Sequence, residues 1–247
     1  MRIELSEVSK GESLPSISAA FSSGTATRVA VETEQRPTLL GLIATGRMLP
    51  DSGSVTIDGA SDRRLLRNAV ALVDAPGVSD PDPDVTLGGL ISEELMFAGG
   101  NSTHVAARMW ARNMHVREDT NTPLAALAPE ERVRVLLELA AMREQRRGKK
   151  VSGLVLVSPD RHGGDPEKWW RIAKLMARRG LAILVITGRA ADRLLHELDA
   201  SVSKNLQGVH DTTQVSRHKD AGGASVEPQV DEGVRNTESQ AATETEQ

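Results

Sequence analysis

Short apolar stretches alternate with segments of helical period along the first 200 residues. Two apolar runs, Leu154–Val157 and Ala182–Ile186, are continuous and bounded by turn residues, as buried central strands are. Further strands are predicted at the β-type stretches Arg2–Val8, Ser16–Phe21, Thr27–Val31, Ser54–Ile57 and Ala69–Val73.

Helical periodicity falls between these strands. The predicted helices are Pro37–Gly46, Arg63–Arg67, a mostly helical block from Leu87 to about Arg112, a long helix over 128–146, and Pro166–Arg179. The last has an apolar side of Trp169, Ile172, Leu175 and Met176, with Trp170 expected to be partly exposed. A strand, a helix and a second apolar strand in succession indicate a parallel sheet flanked by helices, so the predicted class is α/β.

The end of the chain has a different composition. From about Ser203 it is polar, with isolated Val as almost its only large apolar residue. Such a segment buries too little apolar surface to offset its chain entropy. We therefore predict one ordered domain over 1–202 and a disordered tail over 203–247. The tail is either a solvated end without a role or a segment that orders on a partner.

Composition excludes several classes of function. The 247 residues contain no Cys, so disulfides and thiolate metal sites are impossible. The net charge of −4 does not indicate the basic surface that nucleic-acid binding requires. The six His show no spacing suited to a metal. No apolar run approaches the ~20 residues that a membrane helix needs. We expect a cytoplasmic protein that reaches the inner face of a membrane only through a partner.

Residues 30–38, AVETEQRPT, have the spacing of a phosphate-binding loop before a helix. A working loop reads G-x-x-x-x-G-K-[ST], in which glycine backbone N–H groups surround the phosphates, Lys reaches them, and a hydroxyl holds Mg²⁺. Here Ala30 and Gln35 replace the glycines, Arg36 replaces Lys, and Pro37 takes the first hydroxyl position. Thr38 alone remains, and Arg36 and Thr38 are the candidate phosphate contacts.

The segment LPDSGSVTIDG (49–59) resembles the one that follows this loop in ATP-binding cassette (ABC) ATPases. Val8-Ser9-Lys10 resembles the turn after the first strand of that family, and DPDVTLGGLISEEL (82–95) resembles the start of its helical subdomain. The resemblance implies a P-loop NTPase-like ABC ATPase fold, with a mixed and parallel sheet core and a helical subdomain at about 87–128.

The positions that carry chemistry in the family are changed. Asp74-Ala75-Pro76 stands where the glutamine is expected, Leu127–Glu131 replaces the signature loop, and Gly188 replaces a histidine. Ser158 and Pro159, or Val157 and Ser158 in the other register, take the acidic positions that phosphoryl transfer requires. Asp160 is the only nearby acid, and Asp165 is similar to the family's later interface aspartate. Glu32 and Glu34 add negative charge where phosphate would bind.

The resemblance and its departures lead to two hypotheses. In the first, the chain is a degenerate ABC nucleotide-binding subunit, a pseudo-ATPase with no catalytic residue and no metal site. It would bind ATP and Mg²⁺ only if residual affinity survives, and would dock on a membrane permease or another ABC-type subunit around Asp74–Leu90. In the second, it is the ATP-binding half of an asymmetric ATPase pair in which the partner subunit is competent for ATP hydrolysis. Loss of both the loop and the signature disfavours the pair, while a homo- or heterodimer remains open.

Overall fold

The structure, a computed structural model, describes residues 1–142, 144–145 and 149–201. The side chain of Gln35 and those of 144–145 and 149–150 are not part of that description. The predicted tail, 203–247, lies outside the described residues. Within them the predicted α/β fold, with a parallel sheet and an inserted helical block, is confirmed.

An antiparallel sheet begins the chain. Its strands are β1 (Arg2–Lys10), β2 (Leu14–Ser22) and β4 (Ser52–Ile57), in the order β2-β1-β4. Ile3, Leu5 and Val8 of β1 are buried and face the interior. The 2.0-residue period of a strand therefore gives this sheet one apolar face and one polar face.

A parallel sheet forms the centre of the protein. Its strands are β3 (Ala26–Ala30), β5 (Val70–Val73), β8 (Gly153–Val157) and β9 (Ala182–Thr187), in the order β3-β9-β8-β5. The pairs β3–β9, β9–β8 and β8–β5 are all parallel. Every residue of β8 and β9 is buried, as expected for central strands covered on both faces.

Helices connect the strands. They are α1 (Pro37–Ala44), α2 (Arg63–Ala69), α3 (Leu87–Phe97), α4 (His104–Asn113), α5 (Pro129–Met142), α6 (Pro166–Arg178) and α7 (189–201). Two further short strands, β6 (Glu144–Gln145) and β7 (Lys149–Lys150), pair with each other.

Two apolar cores lie on opposite faces of the parallel sheet. Alternate residues of β8 divide between them: Leu154 and Leu156 pack with α3 to α6, while Val155 and Val157 pack with α1, α2 and the antiparallel sheet. The sheet is thus held from both sides, and only its edges and strand ends remain for function.

Several boundaries differ from the sequence prediction. The helical block divides into α3 and α4 because the chain turns at Gly99, which has a φ of 74°. The long helix ends at Met142 and is followed by β6, so the prediction of a helix through 145 is wrong. The helix α7 has no counterpart in the prediction.

The exposure of two α6 side chains also differs from the prediction. Trp170 is only 5% exposed, because Arg28 of β3 lies over its ring at 5.0 Å and Lys174 at 5.7 Å. Leu175 is 51% exposed, because it lies on the side of the helix opposite the buried Trp170 and Ala173.

Gly41 allows α1 to approach the parallel sheet closely. A Cβ at this position would lie 2.8 Å from Val157 Cγ2 and 2.9 Å from Leu72 Cδ1. We predict that Gly41→Val lowers the free energy of unfolding by about 1–3 kcal/mol through overpacking. Urea denaturation checks this, with Gly89→Ala in α3 as the control, where the added Cβ comes no closer than 3.2 Å to a side-chain hydroxyl. Equal stability of both variants would contradict the close approach.

Candidate functional site

The carboxyl ends of the four parallel strands meet at one edge of the sheet. In open α/β sheets this edge is where ligands bind. Four connecting segments leave from it: 31–37 after β3, 74–86 after β5, 158–165 after β8, and 188 onward after β9. We call this the carboxyl edge.

The loop after β3 is a tight turn. Val31 N donates to Thr187 O at 2.8 Å, which holds the loop to β9. Residues 33–35 form one 3₁₀ turn, in which Arg36 N donates to Thr33 O at 3.0 Å. Arg36 has a φ of 45° and its side chain is exposed. The Arg36 N–H is therefore already used by the chain and is not directed at an open ligand position.

Polar side chains fasten the same loop to its neighbours. Glu32 Oε1 accepts from Arg189 N at 3.3 Å and lies 3.6 Å from Arg189 Nε, which joins the ends of β3 and β9. Thr38 Oγ1 donates to Pro76 O at 3.4 Å, which joins the start of α1 to the segment after β5. Of the two predicted phosphate contacts, Arg36 thus has an exposed side chain, whereas Thr38 is hydrogen-bonded to the segment after β5. Their role in phosphate binding stays a prediction.

Asp160 joins the ends of β8 and β9. Its Oδ1 accepts from Thr187 Oγ1 at 2.8 Å, and its Oδ2 accepts from Gly188 N at 3.1 Å. A Cβ on Gly188 would lie 2.9 Å from that same Oδ2. A histidine at position 188 would therefore displace the Asp160 carboxylate, so Gly188 and Asp160 fit each other.

Asp74 is the buried centre of the carboxyl edge. Its side chain is 0% exposed and its φ is 56°. Oδ1 accepts from Arg161 Nη2 at 2.9 Å and Oδ2 lies 2.8 Å from His162 Nε2, while Arg132 Nη2 of α5 is 3.6 Å from Oδ1. Arg161 also donates to the backbone carbonyls of Asp74 and Val157. One carboxylate thus holds the ends of β5 and β8 and the first turn of α5.

The sequence did not reveal this cluster. The sequence places Asp74 at a glutamine position and at the start of the predicted docking segment, and it gives Arg161, His162 and Arg132 no role. Arg161 and Asp74 are 87 positions apart, and no local pattern connects them. Arg132 has a buried Nε without a hydrogen-bond partner, while its Nη2 pairs with Asp74.

The start of α5 is held by ion pairs instead of facing an open site. Glu130 Oε1 accepts from Lys168 Nζ of α6 at 2.7 Å, and this hydrogen bond lowers the pKa of Glu130 and raises that of Lys168. Glu131 pairs with Arg134, whose pKa is raised by that bond. Glu130 and Glu131 thus place paired negative charge at the first turn of α5.

A groove of about 340 Å³ lies beside the carboxyl edge, between the end of β5, α3 and α5. Leu72, Leu90, Leu136 and Phe97 contribute apolar surface, and Phe97 is 66% exposed. Asp80 and Glu93 also line it and are exposed, whereas the Asp74 carboxylate beside it is buried and paired with Arg161. The groove is therefore apolar at its base and acidic in its charge.

Neither a metal site nor a membrane span appears in the part of the chain that the structure describes. No group of three or more His, Asp or Glu there is arranged to hold a metal ion. No helix among residues 1–142 and 149–201 has both the length and the apolar character needed to cross a bilayer.

Comparison with known proteins shows the fold alone. Neither the protein families nor the curated proteins contain a match to this chain. One similar solved structure is described as an ABC transporter ATP-binding protein from Pyrococcus furiosus, at 13% identity and a TM-score of 0.55, covering 76% of this chain and 92% of that one. Another is the ATP-binding subunit of an ABC transporter, at 16% identity and a TM-score of 0.51, covering 78% of this chain and 81% of that one. The chain therefore has the ABC ATPase fold.

Substitution of Asp74 tests the importance of the buried cluster. We predict that Asp74→Ala lowers the free energy of unfolding by about 3 kcal/mol, because it leaves buried guanidinium charge unpaired. The control is Asp51→Ala, which removes an exposed ion pair with Lys10 and should cost much less, because solvent screens that pair. Chemical denaturation of both variants checks this, and equal losses would show that Asp74 acts only as a surface residue.

Proposed function

We propose that the protein is a pseudo-ATPase of ABC type, a cytoplasmic component that acts through contacts with a membrane protein instead of through hydrolysis. The observation that carries this is the occupancy of the carboxyl edge by the chain's own carboxylates. Glu32, Asp74 and Asp160 each accept hydrogen bonds from groups of neighbouring strand ends. Negative charge and occupied donors stand where a nucleotide phosphate would need positive charge and free N–H groups.

The missing catalytic groups support the same proposal. Ser158 and Pro159 follow β8, and neither can hold Mg²⁺ or polarise a water as paired acids do. Asp160, the nearest acid, already accepts from Thr187 and Gly188. Both of its oxygens are thus directed at the end of β9, and no second acid stands beside it at positions 158 and 159.

Docking would use the acidic groove. Its apolar base and the exposed Phe97 suit a short partner helix with an apolar face. The loop that borders it is preformed, because Ala75 O accepts from the backbone of Val78, Ser79 and Asp80. Arg161 lies 3.7 Å from Asp80, so the Asp74 cluster also positions this border. The partner segment that fits combines apolar side chains with Lys or Arg opposite Asp80 and Glu93.

The alternative, an ATP-binding half of an asymmetric pair, requires nucleotide binding at the loop after β3. Thr38 contacts Pro76 only at 3.4 Å, a weak bond that a ligand could replace. This contact is the one observation that favours the alternative.

Titration with Mg-ATP separates the two functions. We expect no change in melting temperature or calorimetric heat at millimolar Mg-ATP, because the carboxyl edge repels phosphate. A ligand at a hundredfold its dissociation constant would stabilise the protein by about 2.7 kcal/mol, which is readily measured. A saturable shift that Thr38→Val removes would favour the asymmetric pair and overturn the pseudo-ATPase proposal.

Docking is tested by rebinding the purified protein to native membranes stripped of peripheral proteins. We expect saturable binding that protease treatment of the membranes abolishes. Glu93→Lys combined with Phe97→Ser should weaken it by at least about tenfold, since the change removes an apolar anchor and reverses a charge of the groove.

The control for charge reversal is Glu12→Lys, an exposed residue between β1 and β2. It changes the net charge by the same amount away from the groove. Undiminished binding of the groove variant, or equal weakening by the control, would rule out the groove as the docking surface.

A further inference from the structure

The outer face of α4 combines apolar and cationic side chains. Val105, Arg108, Met109 and Arg112 follow the i, i+3, i+4, i+7 spacing that places residues on one side of a helix. All four are exposed, with Val105 and Met109 each at 58%. The opposite side, with Ala107, Trp110 and Ala111, packs into the core. We call these four residues the α4 stripe.

The charge of this region contrasts with that of the whole chain. Residues 95–117 contain Arg108, Arg112 and Arg117 but no Asp or Glu, although the net charge of the chain is −4. Within the described ranges, neither Arg108 nor Arg112 has a salt-bridge partner. Arg28, by contrast, is paired with Asp192 at 2.9 Å. The α4 stripe therefore presents two uncompensated positive charges to solvent.

Large apolar side chains are also exposed just before α4. Met96 and Phe97 end α3 at 54% and 66% exposure, and a short connection over 98–103 leads from them to Val105. Phe97 also lines the docking groove, so Met96, Val105 and Met109 are the apolar residues left to this surface. Isolated exposed apolar residues are normal, but three within residues 96–109, a stretch without Asp or Glu, call for a partner surface.

We propose that the α4 stripe contacts an anionic lipid surface. Arginine stems lie along apolar surface while their guanidinium groups reach phosphate headgroups, and the Val105 and Met109 side chains enter the interface between headgroups and acyl chains. Near an anionic bilayer, electrostatic attraction contributes a similar free energy for each basic residue. Each Arg therefore raises the membrane partition coefficient by about fivefold. The contact is peripheral, and it orients the domain instead of anchoring it.

A lipid surface fits the stripe better than a protein does. The stripe lies on the outer side of a helix, and no α4 residue lines the groove between α3 and α5. A deformable bilayer accommodates both kinds of side chain on such a helix face at once, with the guanidinium groups at the headgroups and Val105 and Met109 below them. The inference is independent of the docking groove, whose polar lining is acidic and would be repelled by the same headgroups.

The experiment uses the full chain and sedimentation with two kinds of vesicle, one of phosphatidylcholine alone and one with roughly 30% phosphatidylglycerol, near the anionic content that gives a physiological surface potential. We expect binding to the anionic vesicles at low salt, little binding to the neutral ones, and loss of binding at about 1 M salt, where the Debye length falls to about 3 Å. Arg108→Gln with Arg112→Gln should lower the partition coefficient by about 25-fold.

A matched control keeps the change in net charge constant. Arg64→Gln with Arg67→Gln removes two exposed arginines from α2 instead, and should leave vesicle binding within about twofold of the wild type, because α2 is not part of the surface. A second variant, Val105→Ser with Met109→Ser, should weaken the binding without removing charge. Circular dichroism confirms that each variant is folded.

Three results would overturn the proposal. They are absence of binding to anionic vesicles at low salt, equal binding to neutral vesicles, and equal losses in the α2 control. Binding to stripped native membranes without binding to anionic vesicles would also overturn it, since the docking groove alone accounts for that result. Because the vesicles contain no protein, a negative vesicle result leaves the groove proposal unaffected. A negative result with the groove variant likewise leaves the lipid proposal unaffected.

Discussion

The structure depends on one buried carboxylate. Asp74 has no exposed side-chain surface, and a charge in that position is tolerated only when it is paired and hydrogen-bonded. Its partners Arg161 and His162 come from the turn after β8, and Arg132 comes from α5. The strand ends and the helical block are therefore held in a fixed relation by an interaction that belongs to the chain itself. In a nucleotide-binding protein, a bound phosphate and its metal would supply charge at such an edge.

This arrangement separates stability from chemistry. The two apolar cores lie on the faces of the parallel sheet and fix the fold through β8 and β9, whose residues are all buried. The polar side chains of the carboxyl edge add cross-links between connecting segments without taking part in either core. The fold is similar to that of ABC ATP-binding proteins at only 13–16% identity. Likeness of the cores accordingly says little about the activity at the edge.

The sequence was most informative where a local pattern is sufficient. Continuous apolar runs identified β8 and β9, because strands covered on both faces need apolar side chains at every position. The loop between β3 and α1 also follows from local spacing, while the role of Arg36 and Thr38 in phosphate binding stays a prediction. The Asp74 cluster was not found, since Asp74 and Arg161 come together only through the parallel pairing of β5 with β8. Trp170 was placed wrongly because its cover, Arg28, comes from a distant strand.

The fit between Asp160 and Gly188 has a consequence for evolution. The Cβ of a histidine at 188 would lie 2.9 Å from Asp160 Oδ2. Loss of the Asp160 carboxylate would in turn leave the hydroxyl of the buried Thr187 without its hydrogen-bond partner. Because the two positions share this contact, substitutions at 160 and 188 are expected to be non-additive. Such mutual dependence is epistasis: the effect of a histidine at 188 is set by the residue at 160, on the neighbouring strand end.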